Sequence, residues 1–317
     1  MRIPFLPKTL VATGLLTLGC IGLQAGEITP LGKKPRWQKL DPFQGQVTRG
    51  EFESALREVY SADSSWKSTI KVDAASATIR EMADKEVTYE LEFLREGEQT
   101  AERNLKFWRA ATELPELQPG QPVLSGLKIA IDPGHIGGEW AKMEERCFQL
   151  DDGSEIKEGD LTLLTAQILK PMLEALGARV NLVRDSAAPL TTQRPRLLQS
   201  RAKLFLVNKG FANPPPTYSS SADKSRFISI QWQAEKLFYR TAEIRSRAEK
   251  INLFIKPDIV LCLHFNAEAW GDSDQPKLVE ANHLHLLVNG NYSLGELAHD
   301  DIRFEMLHRL VSGTHKE

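Results

Sequence analysis

Two histidines of this sequence follow short apolar segments, and their placement could bring them together at a metal ion. His135 comes directly after Asp132-Pro133-Gly134 and the apolar residues 127–131, and His264 follows the apolar residues 258–263. If these segments are neighbouring parallel strands, both imidazoles lie beyond the carboxyl ends of the strands, where ligands bind in open α/β sheets. Two imidazoles at one sheet edge predict a metal site there.

A catalytic zinc site takes three protein ligands, so the third ligand is expected to be a carboxylate. Glu158 stands just before a predicted helix over residues 161–176, and a right-handed β-α-β crossover brings the start of that helix to the same edge. Glu155 is the near alternative. Each residue alone has a plainer explanation, because a histidine at a strand end can be structural and a glutamate before a helix is favourable for the helix dipole.

Apolar segments alternate with segments of helical periodicity in the second part of the chain. Strands are predicted at residues 127–131, 180–183 and 258–263, and helices at residues 161–176 and 231–254. This alternation predicts an α/β fold, a three-layer α/β/α catalytic domain over residues 125–317 with a mostly parallel or mixed sheet. Residues 186–231, with a proline run at 214–216, are predicted to be an insertion in that domain.

The first part of the chain predicts a separate small α+β unit over residues 26–113, including a leader. Thr48 and Glu51 have the spacing of a capping box at the start of a helix. Residues 67–72 and 87–94 are rich in strand-forming side chains. A segment with several prolines, residues 114–124, is the predicted linker to the catalytic domain.

Residues 1–25 have the pattern of a secretory signal peptide. Arg2 and Lys8 precede an apolar stretch that is too short for a comfortable membrane span, and Ala25 offers a cleavage point. Lipid attachment at Cys20 and an uncleaved N-terminal anchor are the alternatives. We therefore expect an exported protein of the periplasm or cell envelope, with no membrane span in the mature chain.

Charge and cysteine content limit the other classes of function. The formal net charge is -2 and the predicted pI is about 6.4, so no basic field favours a nucleic-acid partner. Of three cysteines, only Cys147 and Cys262 fall in the expected mature chain, which predicts no disulfide framework, although a pair between them stays open. Cys262 lies in an apolar run and is expected to be buried and inert.

Three blocks of the sequence resemble the zinc-dependent N-acetylmuramoyl-L-alanine amidases, the peptidoglycan hydrolases of the amidase_3 type. These blocks are LKIAIDPGHIGG, EGDLTLLTAQILKPMLEALGARVNLVRD and IKPDIVLCLHFNA. The resemblance covers about residues 125–185 and 240–312, roughly two fifths of the chain. It implies that His135, Glu158 and His264 bind one Zn²⁺, and that the substrate is the amide between N-acetylmuramic acid and L-alanine.

The chain departs from this family at the general base. Family members carry a second glutamate on a late strand, after one further strand and helix; here residues 282–288 predict the strand, residues 294–310 predict the helix, and the sequence then stops. We therefore expect a C-terminally truncated chain that lacks the last strand. Glu280 follows an apolar run but precedes that strand and helix, so it is the candidate base only by sequence pattern, and a solvated loop carboxylate is the alternative.

Two other functions remain compatible with the same residues. The protein could bind peptidoglycan without cleaving it, retaining the zinc pocket, or it could be a zinc peptidase that acts on wall peptides. Some relatives cover the zinc with an inserted helix until a partner withdraws it, so an activator protein acting on residues 186–231 is a further expectation. Trp140, shortly after the first block, could stack on sugar rings or pack in the core.

Overall fold

The computed structural model describes residues 28–61, 63–81, 88–95, 97–98, 108–109, 113–150, 152–220, 222–265, 284–286 and 291–312. The expected signal peptide at residues 1–25 and the candidate base Glu280 lie outside the described residues. In the part of the chain that is described, no helix combines the length and the apolar character that a membrane span requires.

A three-stranded parallel sheet organises the second part of the chain. It consists of β4 (Lys128–Pro133), β7 (Arg179–Leu182) and β8 (Ile259–Leu263), in the order β7-β4-β8. Ile129 is paired with Val180 on one side and with Ile259 on the other. The fold is therefore mixed α/β with a parallel sheet, as predicted, and the three predicted strands are confirmed to within two residues.

Helices connect these strands. α2 (Glu158–Ala175) lies between β4 and β7 in the chain and contacts both strands. A continuous helical stretch leads to β8, and its turns alternate between α-helical α4 (Ile230–Lys236) and α5 (Glu243–Glu249) and the π-helical segments Leu237–Ala242 and Lys250–Ile255. These helices confirm the predicted ones, and α2 begins at Glu158 itself.

The apolar residues of α2 lie on two sides of the helix. Leu161, Leu164, Ile168, Met172 and Leu176 recur on one face, and the last four are 45–59% exposed. The helix instead packs the side that includes Ala166, Leu169 and Leu173 against the sheet. The sequence is apolar on both sides of this helix, so periodicity alone could not choose between them.

Residues between β7 and α4 form the predicted insertion. It contains α3 (Pro195–Asn208) and a short 3-10 helix, Lys224–Ile228. Leu198 and Ala202 of α3 are buried against the helical stretch that begins with α4, and Leu206 of α3 is also buried. A small hairpin, β5 (Cys147–Gln149) paired with β6 (Glu155–Lys157), precedes α2.

The N-terminal unit is an antiparallel sheet with helices around it. The sheet has the order β1 (Ile70–Val72), β2 (Ser76–Arg80) and β3 (Thr88–Glu92). The predicted capping box starts α1 (Arg49–Ala55), because Thr48 accepts from the Glu51 backbone and Glu51 accepts from the Thr48 backbone. This unit also contains the 3-10 helices Trp37–Phe43 and Ser65–Ser68 and a π-helical turn over Leu56–Tyr60. Another 3-10 helix, Gly138–Trp140, lies between β4 and β5.

The last described helices pack on this N-terminal unit. α6 (Leu294–Leu297) and α7 (Asp300–Ser312) place Leu297, Met306, Leu307, Leu310 and Val311 in the same buried cluster as Trp37, Phe43, Phe52 and Ile79. The prediction assigned this helix to the catalytic domain at residues 125–317. The structure differs, because the apolar face of α7 covers the N-terminal sheet unit instead.

Two smaller predictions also differ from the structure. The described part of the predicted strand 282–288, residues 284–286, is not in a strand, and Leu284 and Leu286 are 91% and 85% exposed. Cys262 is exposed rather than buried, like Ile259 and Val260 of the same strand. β8 is an edge strand of the described sheet, so its neighbours cover it on one side only. Cys147 and Cys262 are both free thiols.

Candidate metal centre

The structure brings the three sequence-predicted ligands together at the carboxyl edge of the parallel sheet. His135 lies in the turn after β4, Glu158 begins α2, and His264 directly follows β8. The Nε2 atom of His135 lies 3.2 Å from Oε2 of Glu158, and Nδ1 of His264 lies 3.2 Å from Oε1 of the same carboxylate. One potential ligand atom from each residue lies within 4.8 Å of the others.

The donor set and its spacing fit a metal ion. Zinc-to-nitrogen and zinc-to-oxygen bonds of ~2.0–2.1 Å in a tetrahedron separate neighbouring ligand atoms by roughly 3.3 Å. Each imidazole nitrogen lies at a similar distance, 3.2 Å, from one of the two oxygens of Glu158. Three protein ligands also leave one tetrahedral position for water or substrate. His135, Glu158 and His264 can therefore hold a metal ion.

The charges of the site suit a cation. Burial opposes ionisation of Glu158, but hydrogen bonds from His135, His264 and the Phe265 backbone outweigh it and hold the pKa of that carboxyl far below its usual value. Burial likewise lowers the pKa of His135, but Glu144 and Glu158 together raise it above its ordinary value. A carboxylate that stays ionised beside two imidazoles is a ligand set ready for a cation.

Glu155, the alternative third ligand, lies elsewhere. It sits on β6, where its carboxylate pairs with Lys142 at 2.5 Å and with Lys157 at 3.4 Å. These lysines lower the pKa of Glu155. The structure therefore places Glu158, and not Glu155, beside the histidines.

Arg146 is a fourth side chain at the ligand atoms. Its Nε lies 3.3 Å from Nε2 of His135 and 3.3 Å from Oε2 of Glu158. Because two cations repel each other, a bound metal ion requires this guanidinium to move outward. The side chain is 42% exposed, so solvent is open to it.

Glycines make the close approach of the three chain segments possible. A Cβ at Gly134 would overlap the Leu263 carbonyl oxygen and the His264 ring. A Cβ at Gly159, in the first turn of α2, would overlap the backbone of Gly137. The glycine-rich turn therefore allows the loop with His135, the start of α2 and the end of β8 to meet.

His135 adopts a left-handed backbone conformation, with φ of 57°. This region is uncommon for residues other than glycine, and the surrounding structure must hold it. Arg247 on α5 does so: its guanidinium donates to the carbonyl of His135 at 2.6 Å and to the carbonyl of Pro133 at 2.7 Å. Glu243 and Asp132 in turn accept from Arg247, whose side chain is only 3% exposed.

A second buried arginine holds the same turn from the other side. Arg184, two residues after the end of β7, donates to the carbonyls of Pro133, Gly134 and Gly159 at 2.5–3.0 Å. Burial lowers its pKa to about 10, which leaves it charged at neutral pH. Arg184 thus ties the turn after β4 to the first turn of α2.

Four further side chains contact the turn or the candidate ligands and were not predicted from the sequence: Glu144, Arg146, Arg184 and Arg247. Arg247 could have been found, because Glu243 precedes it by four residues on a predicted helix, the spacing of an ion pair. Arg184 follows a predicted strand at the same edge as the histidines. Glu144 and Arg146 lie in an irregular loop without any periodic signal.

The insertion borders the centre without contributing a ligand among the described residues. Arg226 pairs with Glu145 of the loop after His135 at 3.0 Å. Trp140, in the same loop, packs on Phe238 with 5.1 Å between ring centroids, and Arg194 lies over its ring. This packing favours the core interpretation of Trp140 over a sugar-stacking one.

Comparison with protein-family models, with curated proteins and with solved structures finds no match for this chain.

Proposed function

We propose that this protein is a zinc-dependent N-acetylmuramoyl-L-alanine amidase that hydrolyses the amide between N-acetylmuramic acid and L-alanine in peptidoglycan. The observation that carries the proposal is the meeting of His135, Glu158 and His264 at one edge of the parallel sheet. The resemblance of the three sequence blocks around these residues suggests the substrate. Zinc is the proposed metal because two imidazoles and one carboxylate, with an open position, are a common catalytic zinc set.

The proposal also includes the layer arrangement of the catalytic domain and the location of the protein. We propose a three-layer α/β/α domain around the sheet, and export to the periplasm or cell envelope, where peptidoglycan lies. Support for export is the basic and then apolar pattern of residues 1–25. An activator protein that acts on the insertion would reach the site through the loop that Arg226 contacts.

The side chains of the centre have distinct tasks in this reaction. When bound, zinc supplies a Lewis acid for the amide carbonyl and lowers the pKa of a coordinated water to ~7. Glu158 provides the only negative charge among the three ligands, so the site keeps a net positive charge that favours an electron-rich carbonyl oxygen. Arg184 and Arg247 fix the turn that carries His135, which keeps the ligands in place. The proton acceptor is not assigned: the family's late glutamate has no counterpart in the sequence pattern, and Glu280, the one candidate, lies outside the described residues.

The test measures bound zinc and the release of stem peptides from purified peptidoglycan. Three variants each remove one proposed ligand: His135→Ala, His264→Ala and Glu158→Gln. Loss of a residue that only hydrogen-bonds to a metal ligand weakens metal binding by up to ~100-fold, so we expect each of these variants to weaken zinc binding by more than that. Glu155→Gln is the matched control: it removes a carboxylate three residues from Glu158 that pairs with lysines instead, and it should retain zinc.

The outcomes separate the three functions. Release of peptides with a new L-alanine amino terminus, lost in the ligand variants, supports the amidase. Cleavage farther along the stem indicates a zinc peptidase. Stoichiometric zinc without turnover supports the peptidoglycan-binding protein, and an absence of zinc binding would refute the proposed centre.

A further inference from the structure

The buried carboxylate of Glu144 faces the imidazole nitrogen of His135 that points away from the other ligands. Oε1 of Glu144 lies 3.6 Å from Nδ1 of His135, whereas Nε2 of His135 faces Glu158. The Glu144 side chain is 3% exposed. A distance of 3.6 Å is longer than a hydrogen bond, but such contacts commonly tighten when the active complex forms.

The other carboxylate oxygen of Glu144 fixes its orientation. Oε2 accepts from the backbone N–H of Ile136 at 2.9 Å and of Gly137 at 3.3 Å. These donors belong to the two residues that follow His135, so Glu144 binds the backbone of the turn with one oxygen and faces the His135 ring with the other. The carboxylate cannot rotate away without leaving buried N–H groups unpaired.

We propose that Glu144 is a positioning residue that holds His135 in the tautomer with the proton on Nδ1, which leaves Nε2 free to bind the metal. If a metal ion takes the lone pair of Nε2, the proton of the neutral ring lies on Nδ1, and Glu144 is the carboxylate acceptor that faces this nitrogen. Metal-binding histidines generally donate their second ring N–H to a carboxylate or carbonyl, which fixes ring orientation and basicity. The inference rests on the proposed metal centre, where Nε2 would bind the metal in place of its contacts with Glu158 and Arg146.

Glu144→Gln separates this role from simple support of the turn. The Ile136 and Gly137 N–H groups need an acceptor, and the NH₂ group of glutamine only donates. The amide oxygen is therefore expected to take the position of Oε2. The NH₂ group then faces Nδ1 and favours the opposite tautomer, with the proton on Nε2. Glu145→Gln is the matched control, because it removes one negative charge from the same loop at a side chain that pairs with Arg226 instead.

The first measurement is zinc affinity with zinc alone as the probe, together with the melting temperature in chelator. We expect Glu144→Gln to weaken zinc binding by about 10–100-fold, as for other outer partners of a metal ligand, with little change in the metal-free melting temperature. Glu145→Gln should bind zinc as the unaltered protein does. Equal affinity in Glu144→Gln and the unaltered protein would overturn the inference.

The second measurement needs no variant at residue 144 to fold. It uses a Glu158→Leu, Arg146→Met protein, because Glu158 and Arg146 also act on Nε2 of His135. Nitrogen-15 spectra of histidine-labelled, metal-free protein, at a pH that keeps the imidazoles neutral, report which ring nitrogen is protonated, and a His135→Asn variant assigns the signal. A proton on Nδ1 supports the role of Glu144, and a proton on Nε2 refutes it. This result stands even if the unaltered protein binds no zinc, so failure of the proposed function remains distinguishable.

Discussion

The N-terminal unit and the turn at the metal centre are held by different forces. In the N-terminal unit, aromatic and aliphatic side chains from α1, the antiparallel sheet and α7 form one buried cluster. At the turn after β4, buried charged groups dominate: Arg184 and Arg247 bind backbone carbonyls, and Glu144 binds backbone N–H groups. One region is stabilised by apolar burial, and the other is fixed by directed hydrogen bonds.

The difference follows from what each region has to specify. Apolar contacts are non-directional, so they stabilise a fold while tolerating changes of shape. Hydrogen bonds from a guanidinium have fixed geometry, but each buried charge must keep its partners. The turn carries a ligand histidine in a left-handed conformation, and only directed bonds can hold the ring at a defined position.

Arg247→Met is expected to have the largest effect, because it breaks the second kind of region. The variant leaves Asp132 and Glu243 without their guanidinium partner and frees the His135 carbonyl. We expect a loss of about 3–5 kcal/mol in the free energy of unfolding. Zinc affinity should fall by about 10–100-fold. Denaturant unfolding and a zinc titration measure the two effects.

Arg245→Met is the matched control for that prediction. Arg245 lies two residues earlier on α5, is 42% exposed, and pairs with Asp301 outside the turn. Its loss should change stability by less than about 1 kcal/mol and leave zinc affinity unaltered. If both arginine variants lose zinc to the same extent, the special role of Arg247 is wrong.

Leu307→Ala tests the apolar region in the same way. Leu307 is fully buried in the cluster that α7 shares with the N-terminal sheet. Truncation should cost about 3 kcal/mol through lost burial and a cavity. Zinc affinity should stay unchanged in the folded protein, because this cluster contains no part of the metal centre. A zinc titration that shows a weaker site would contradict the separation of the two regions.

Asp258→Asn sharpens the comparison with a smaller, pH-dependent effect. Asp258 accepts from Arg109 and from the Lys128 backbone where β8 begins beside β4. Burial raises the pKa of Asp258, but these donors outweigh it and hold the pKa below the ordinary value. The ionised form therefore stabilises the fold above pH ~4, and this contribution is lost as the pH falls through the lowered pKa.

We expect Asp258→Asn to lose about 2 kcal/mol of stability at neutral pH, with the gap to the unaltered protein closing at acid pH. Unfolding curves across that range measure it. Asp73→Asn is the control, since Asp73 pairs with Lys71 at the surface and should contribute less than about 1 kcal/mol. A gap that does not depend on pH would show that the charge of Asp258 is not responsible.

The sequence predicted the parts of the fold that local patterns determine. Three strands, the helices between them and the capping box at Thr48 follow from periodicity and end signals. The three candidate ligand residues were also predictable, because each lies at the end or start of such an element. Glu144 was not, since its role depends on a loop folding back eight residues onto Ile136.

The placement of α7 could not be predicted for a related reason. An amphipathic helix shows that one face is buried, but not which surface covers it. Chain order suggested the nearby parallel sheet, whereas the structure joins α7 to residues more than 200 positions earlier. Which side of α2 faces the sheet could not be predicted either, because both sides of that helix are apolar.

The packing of α7 has a consequence for how the chain acquires its structure over time. Synthesis and any passage through a membrane channel deliver the chain from its N-terminus, so residues 28–95 emerge long before residues 291–312. Until α7 arrives, the cluster around Phe52 lacks the apolar face of that helix. The parallel strands β4, β7 and β8 can therefore pair before the cluster of the N-terminal unit is closed.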